Sequence, residues 1–368
     1  MMAKMTPSVF ALLACIGCLR PTEERAERDL EVGRAEAAGA RIVVSEGLAA
    51  VRAMSAGTIR LWSSAPGYRM TLSLSAAAPR SWEIHVQNCL PDAELSLLEG
   101  RADIEPLAMR LGTERRFSVT TAETGALTLT LRLAPPDFEE LGPFRFALLS
   151  DVQEAVDRLI DIHRRINQEP EIRFLLGAGD LTRQGEVEEL ERYQRELETL
   201  DVPYYTTLGN HELGTDPPPW HDYFGRASFR FVYRDVQFSL LDSGSATIDP
   251  LVYDWLDRWL AEGRNRVHIV AMHIPPIDPV GVRNGSFASR NEAKKLLAKL
   301  AQAHVDLTLY GHLHSFYKFE NAGIPARISG GGGAIPERFD GYGRHFLVID
   351  VDASRGVLGT RLVQVDED

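Results

Sequence analysis

Between residues 40 and 134 apolar and polar positions alternate with a period of two. The runs TIRLWSS, YRMTLSLS, SWEIHVQN, AELSLLE, RRFSVTT and ALTLTLRL are separated by turns containing Gly, Pro, Asp or Ser. Successive strand side chains point to opposite faces, so this alternation predicts half-buried strands. Short strands at such spacing over roughly ninety residues predict an all-β sandwich domain. It carries no catalytic constellation: His85 reads as structural or solvent-facing, and Cys89 as a small buried hydrophobe.

APPDFEELGP, residues 134–143, interrupts this rhythm with prolines and an acidic run, which predicts a linker over 135–143. Beyond it the apolar residues come in compact runs: FRFALLS, IRFLLGAG, VPYYTTLG, RVHIVAM and VDLTLYG. Amphipathic stretches at 154–168, 186–200 and 290–303 alternate with them, predicting an α/β domain over 144–368 whose strands are buried on both faces. ASFRFVYRDVQFSLLDSG predicts an antiparallel hairpin, and residues 249–263 a further helix. A chain of 368 residues suits two such domains.

The first residues change the picture of where the chain works. MMAKMTPSVFALLACIGC joins one Lys to a short apolar run and then small residues before a Cys, the layout of a signal peptide over residues 1–18, too short to span a bilayer. It resembles a bacterial lipoprotein signal, which implies export from the cytoplasm and a lipid anchor on Cys18 or Cys15, or else a periplasmic product. Residues 19–39 read as a charged, Ala-rich tether with some helical tendency. Of three cysteines, two lie in this leader, so no disulfide framework is expected. The net charge of −12 argues against a nucleic-acid polymer as partner, because phosphate backbones require clustered Lys and Arg.

The candidate chemistry lies at the ends of the α/β strands. Asp151 follows the first run, Gly179-Asp180 the second, Gly209-Asn210-His211-Glu212 the third, His273 the fourth, and Gly311-His312-Leu313-His314 the fifth. All are potential metal ligands at the carboxyl edge of a sheet, where loops converge on ligands. One Asp after a strand is commonly a helix cap; the set in this order predicts a metal site.

This block set resembles the calcineurin-like metallophosphoesterase superfamily over about residues 144–350. The resemblance implies a four-layer αββα sandwich. It also implies one ion held by Asp151, Asp180, His314 and residue 153, and a second held by Asp180, Asn210, His273 and His312, with Asp180 shared. Two divalent ions (Mn, Fe, Zn or Mg, with Mn favoured) would generate a bridging hydroxide that attacks a phosphomonoester or phosphodiester in line. His211 would face the substrate phosphate as a charge stabiliser or proton donor, beside Asn210, and Glu212 would either support it or serve as a helix-start acid. Arg183 is a candidate phosphate contact, and the Gly-rich 328–336 a candidate cleft wall, as are 215–225 and 280–290. His221, in the first of these, reads as a surface residue.

Two departures matter. Gln153 stands where the family's first block usually has His, and an amide oxygen is a poorer donor than imidazole for Zn or Fe. A catalytically impaired metal-binding or scaffold lipoprotein of the same fold is therefore the alternative to a hydrolase. Arg183 occupies the position where purple acid phosphatases, which share the sandwich-plus-catalytic plan, carry an iron-binding Tyr. That excludes an iron-tyrosinate centre and makes GDLTRQG closer to the phosphodiesterase-like branch.

Overall fold

A computed structural model describes residues 21–281, 285–338 and 342–365. The alternating region folds as two five-stranded sheets. One is ordered 34–37, 40–44, 68–74, 127–134, 94–99 and the other 49–55, 58–63, 81–87, 114–120, 103–107. Tyr68–Leu74 shows why: Tyr68, Met70, Leu72 and Leu74 are buried while Arg69 is exposed. Antiparallel pairing sets Met70 opposite Leu131 and Leu72 opposite Leu129, so each partner contributes to the same apolar face. Ile59, Leu61, Trp82, Ile84, Val86, Phe117 and Val119 close the core from the other sheet. Cys89 is buried there, and the His85 ring lies 3.5 Å from Glu114.

The α/β region forms two further sheets, ordered 204–207, 172–178, 144–149, 345–352, 356–364 and 229–233, 236–241, 267–272, 307–310, 324–329, 316–321. Aromatic rings fill the space between them: Phe146 stacks on Phe174 at 5.5 Å and meets Phe238 edge-on at 5.2 Å. Helices Leu159–Asn167 and Val187–Glu196 cover the outer face of the first sheet. Helices Pro250–Glu262 and Arg290–Gln302 cover the second. The result is a four-layer αββα sandwich behind an all-β domain.

The two domains share one continuous apolar cluster. Asn88 fastens the seam by accepting from the Tyr204 N–H at 2.8 Å and donating to its carbonyl at 2.7 Å, as a neighbouring strand would. Tyr204 opens the strand that leads to Asn210, so the sandwich backs that sheet directly.

Residues 21–39 correct the expectation of a tether. Pro21–Glu31 is a helix and Arg34–Ala37 an edge strand of the sandwich. The helix docks through Ala26 and through charges, since Arg25 and Asp29 are 3% and 1% exposed. A face buried by ion pairing looks in sequence like a solvated one, which is why charge content misled there. The signal peptide and its Cys15 and Cys18 lie outside the described residues.

Candidate metal centre

Each chemistry-bearing residue sits one to four positions beyond a strand of the α/β sheets. Asp151 follows Phe144–Leu149, Asp180 follows Ile172–Ala178, Asn210 follows Tyr204–Thr207, His273 follows Val267–Met272, and His312 and His314 follow Leu307–Tyr310. Parallel pairing aligns these strand ends on one edge. Four of the residues take left-handed backbone conformations: Asp151, Gln153, Asp180 and His312 have φ of 62°, 50°, 53° and 69°. Such angles cost a non-Gly residue on the order of 1 kcal/mol or more and are characteristic of functional sites. Glycines admit the crowding: a Cβ at Gly209 would strike Asp180, and one at Gly311 would strike Ser150 and Asp151.

Two triads emerge, Asp151–Asp180–His314 and Asp180–His273–His312, each with donor atoms within 4.8 Å of one another and with Asp180 common to both. His273 Nε2 lies 3.2 Å from Asp180 Oδ1 and 3.0 Å from Asn210 Oδ1. His314 Nε2 lies 3.5 Å from Asp151 Oδ1. The other ring nitrogens donate to backbone: His273 Nδ1 to the Ala178 carbonyl at 2.7 Å and His314 Nδ1 to that of Ile335 at 2.6 Å. That leaves both Nε2 atoms facing the carboxylates, the ring nitrogens a cation would take up.

The charge balance also fits a cation. Asp151, Asp180 and Glu212 are each 1% exposed or less, and among the described residues no Lys or Arg pairs with any of them. Three buried carboxylates at one edge, met by imidazoles and hydrogen bonds, would be favoured by an added cation. Burial raises the Asp151 carboxyl above its usual range, only partly opposed by His273 and His314. Burial would raise Asp180 too, but His273 holds it well below. His273 in turn is pulled up to about 9, against its own burial, by the Asp180 carboxylate. The oxygen and imidazole donors suit first-row divalent ions, with Mg as the oxygen-preferring alternative.

Residues 144–316 match the calcineurin-like phosphoesterase family. This part of the chain is a calcineurin-like phosphoesterase domain. A curated 3′,5′-cyclic-nucleotide phosphodiesterase of Nostoc sp. is 27% identical over 161 residues, which are 40% of this chain and 58% of that protein. The purple acid phosphatase of yellow lupin (Lupinus luteus) shares the fold, with a TM-score of 0.50 at 14% identity over 81% of this chain and 72% of its own. A dimetal phosphatase of Danio rerio aligns with a TM-score of 0.46 at 14% identity, over 61% of this chain and 99% of its own.

Around the phosphoesterase centre, Glu212 proves to be a hub. Its carboxylate accepts the N–H groups of Asp180, Leu181, Thr182 and Gly209 at 2.8–3.0 Å and the Thr182 hydroxyl at 3.1 Å. It thereby ties the Asp180 loop to the Asn210 loop, although burial and Asp180 push its carboxyl up to about 7. His211 donates from Nδ1 to the Arg183 carbonyl at 2.7 Å, leaving Nε2, 3.8 Å from Asp180 Oδ2, on a side chain that is 33% exposed. Arg183 itself is exposed, and its backbone carbonyl is what the site uses.

Gln153 is buried against the first triad. Its Nε2 lies 2.8 Å from Asp180 Oδ2 and 3.2 Å from His314 Nε2, so rotating the amide by a half turn would present its oxygen to the same space. The Gly-rich segment packs beside it: Gly332 donates to Ser150 O at 2.8 Å and Ala334 to Asp151 O at 2.9 Å. His221 is not a surface residue; it is buried, with Nε2 3.0 Å from Asp29 of the docked helix. Residues 282–284 of the second candidate cleft segment lie outside the described residues. Sequence reasoning missed Ser150, whose hydroxyl donates to Asp151 at 2.7 Å, and the Ile335 carbonyl, since neither residue type advertises a role by itself.

Proposed function

We propose that the chain is a metal-dependent phosphoric-ester hydrolase acting on phosphodiesters through two divalent ions that share Asp180. The carrying observation is the pair of triads meeting at one buried carboxylate, which among the described residues no Lys or Arg pairs with. The similarity to a cyclic-nucleotide phosphodiesterase supports the diester preference. Asp151, Asp180 and His314, with Gln153, would hold one ion; Asp180, Asn210, His273 and His312 would hold the other. Bound there, the ions supply a polarised phosphoryl group and an activated water.

The chain's own groups do the rest. His273 and His314 are locked in the tautomer that presents Nε2, and Glu212 fixes the spacing of the two loops. His211, with Nδ1 anchored, can offer Nε2–H to a phosphoryl oxygen or to the departing alkoxide. Arg183, exposed and joined to His211 through its carbonyl, would offer a cation to a second phosphate or an acidic leaving group.

A panel of p-nitrophenyl monoesters and diesters, with and without chelator, tests this. Chelator-sensitive cleavage with the diester preferred is expected; cleavage that survives metal removal would contradict it. We further propose export and anchoring through Cys18 or Cys15, testable by fatty-acid labelling of the cysteine variants. Among the described residues no helix is long and apolar enough to cross a membrane.

A further inference from the structure

We propose that helix Pro21–Glu31 is a positioning element for one half of the metal centre, the half formed by Asn210 and His273, with Arg25 and Asp29 as its positioning residues. The proposal rests on the two-ion reading above. Arg25 and Asp242 form an ion pair at 2.7 Å whose side chains are 4% and 8% exposed, and Arg25 also reaches Ser245 Oγ at 3.1 Å. Asp242 in turn accepts the Gly244 N–H at 2.9 Å, closing the 242–245 loop.

That loop touches both ligands of the second half through their chain neighbours. Ser243 Oγ accepts the N–H of Ile274, the residue after His273, at 2.8 Å. Gly244 packs against the backbone of Gly209, the residue before Asn210. Asp29 supplies a second route. It accepts the N–H groups of Ala227 and Ser228 at 2.7 and 2.9 Å. The Ala227 carbonyl receives the hydroxyl of Thr207, at the end of the strand leading to Asn210, and Ser228 Oγ accepts the Asp242 N–H at 2.9 Å, joining the same turn to the loop that Arg25 holds.

The other half is held differently. Asp151 and His314 are fixed by Ser150, Gly332, Ala334 and the Ile335 carbonyl, none of which bonds to the helix. Loss of the Arg25–Asp242 pair leaves a buried carboxylate unpaired, and the loop that carries it must shift to hydrate it. The shift passes to Asn210 and His273 and not to Asp151 and His314. A merely stabilising helix would weaken both ion sites together; a positioning helix weakens one.

The test is a calorimetric Mn²⁺ titration of metal-free wild type, Arg25→Met, Asp29→Ala and Arg25→Lys, with thermal melts alongside. Wild type should take up two ions. In Arg25→Met and Asp29→Ala one ion should bind at least about tenfold more weakly, the scale for losing a supporting partner, while the other changes little. Arg25→Lys should recover part of the loss. Equal weakening of both ions, or two unchanged ions, would overturn the proposal. If wild type itself does not bind two ions, the two-ion reading fails first. Should Arg25→Met melt below assay temperature, Arg25→Lys carries the test, and a loss spread over both ions counts against it.

Discussion

The two domains of this chain solve opposite problems with similar strands. In the sandwich, alternation sends apolar residues inward and the turn positions carry the left-handed residues, such as Ala38, Glu46 and Asn88. In the phosphoesterase domain the central strands 144–149, 236–241, 267–272 and 307–310 are buried almost throughout, and four left-handed residues stand at the carboxyl edge, Asp151, Gln153, Asp180 and His312. That edge thus combines left-handed backbone with buried carboxylates and imidazoles, Asp151, Asp180, Glu212 and His273 among them. The proposed ions would join groups that burial and left-handed backbone otherwise disfavour.

The most severe way to break that edge is Asp180→Asn. Because Asp180 belongs to both triads, metal-dependent hydrolysis should vanish and the two-ion stoichiometry with it, as read by elemental analysis. Sandwich changes such as Glu83→Gln, far from the edge, should leave turnover unaltered. Next in size is His211→Ala, which should lower turnover by about 10² to 10⁴ with metal content intact. A p-nitrophenolate leaving group should suffer less than an alkoxide if His211 is a proton donor, and equal losses would remove that role.

Gln153 sharpens the contrast within the edge itself. If its amide oxygen turns to the first ion, that site should prefer Mn²⁺ or Mg²⁺ over Zn²⁺, and Gln153→His should tighten Zn²⁺. An unaltered Gln153→Ala would show that the amide stands aside.

The smallest expected effect concerns two histidines buried away from the centre. Burial drives His163 down to about 3 and His268 down to about 4. Both folded values lie below the ordinary 6.5, so the unfolded chain binds more protons in between. Their contribution to stability is complete above about pH 6.5 and is lost as pH falls toward 4. Thermal melts at pH 7 and 5.5 should differ by a few degrees from these groups, and His268→Gln should reduce the difference. A variant with the wild-type pH dependence would contradict the assignment.

Much of this was legible in the chain. The alternating runs marked the sandwich strands 58–63, 68–74, 81–87 and 114–120, because pleated strands impose a period of two. The strands 316–321, 324–329, 345–352 and 356–364 were not anticipated, since their pairing is set by neighbours rather than by a local pattern. Asp151, Asp180, Asn210, His273, His312 and His314 were singled out by their place after strands, and the fold sets them beside one another. Helix 21–31 was misread for the reason that hid His221: charged groups buried by mutual pairing carry no apolar signature. Glu212 was half legible, for its spacing marked a supporting acid but not that it would gather four backbone donors from two loops.

Cleavage of a phosphodiester by two ions sharing Asp180 is what the proposed function requires. It is tested most directly by titrating metal-free protein with Mn²⁺ while following hydrolysis of bis(p-nitrophenyl) phosphate. The account predicts activity that rises with the second equivalent and is absent without metal. Full activity at one equivalent, or with none, would contradict it.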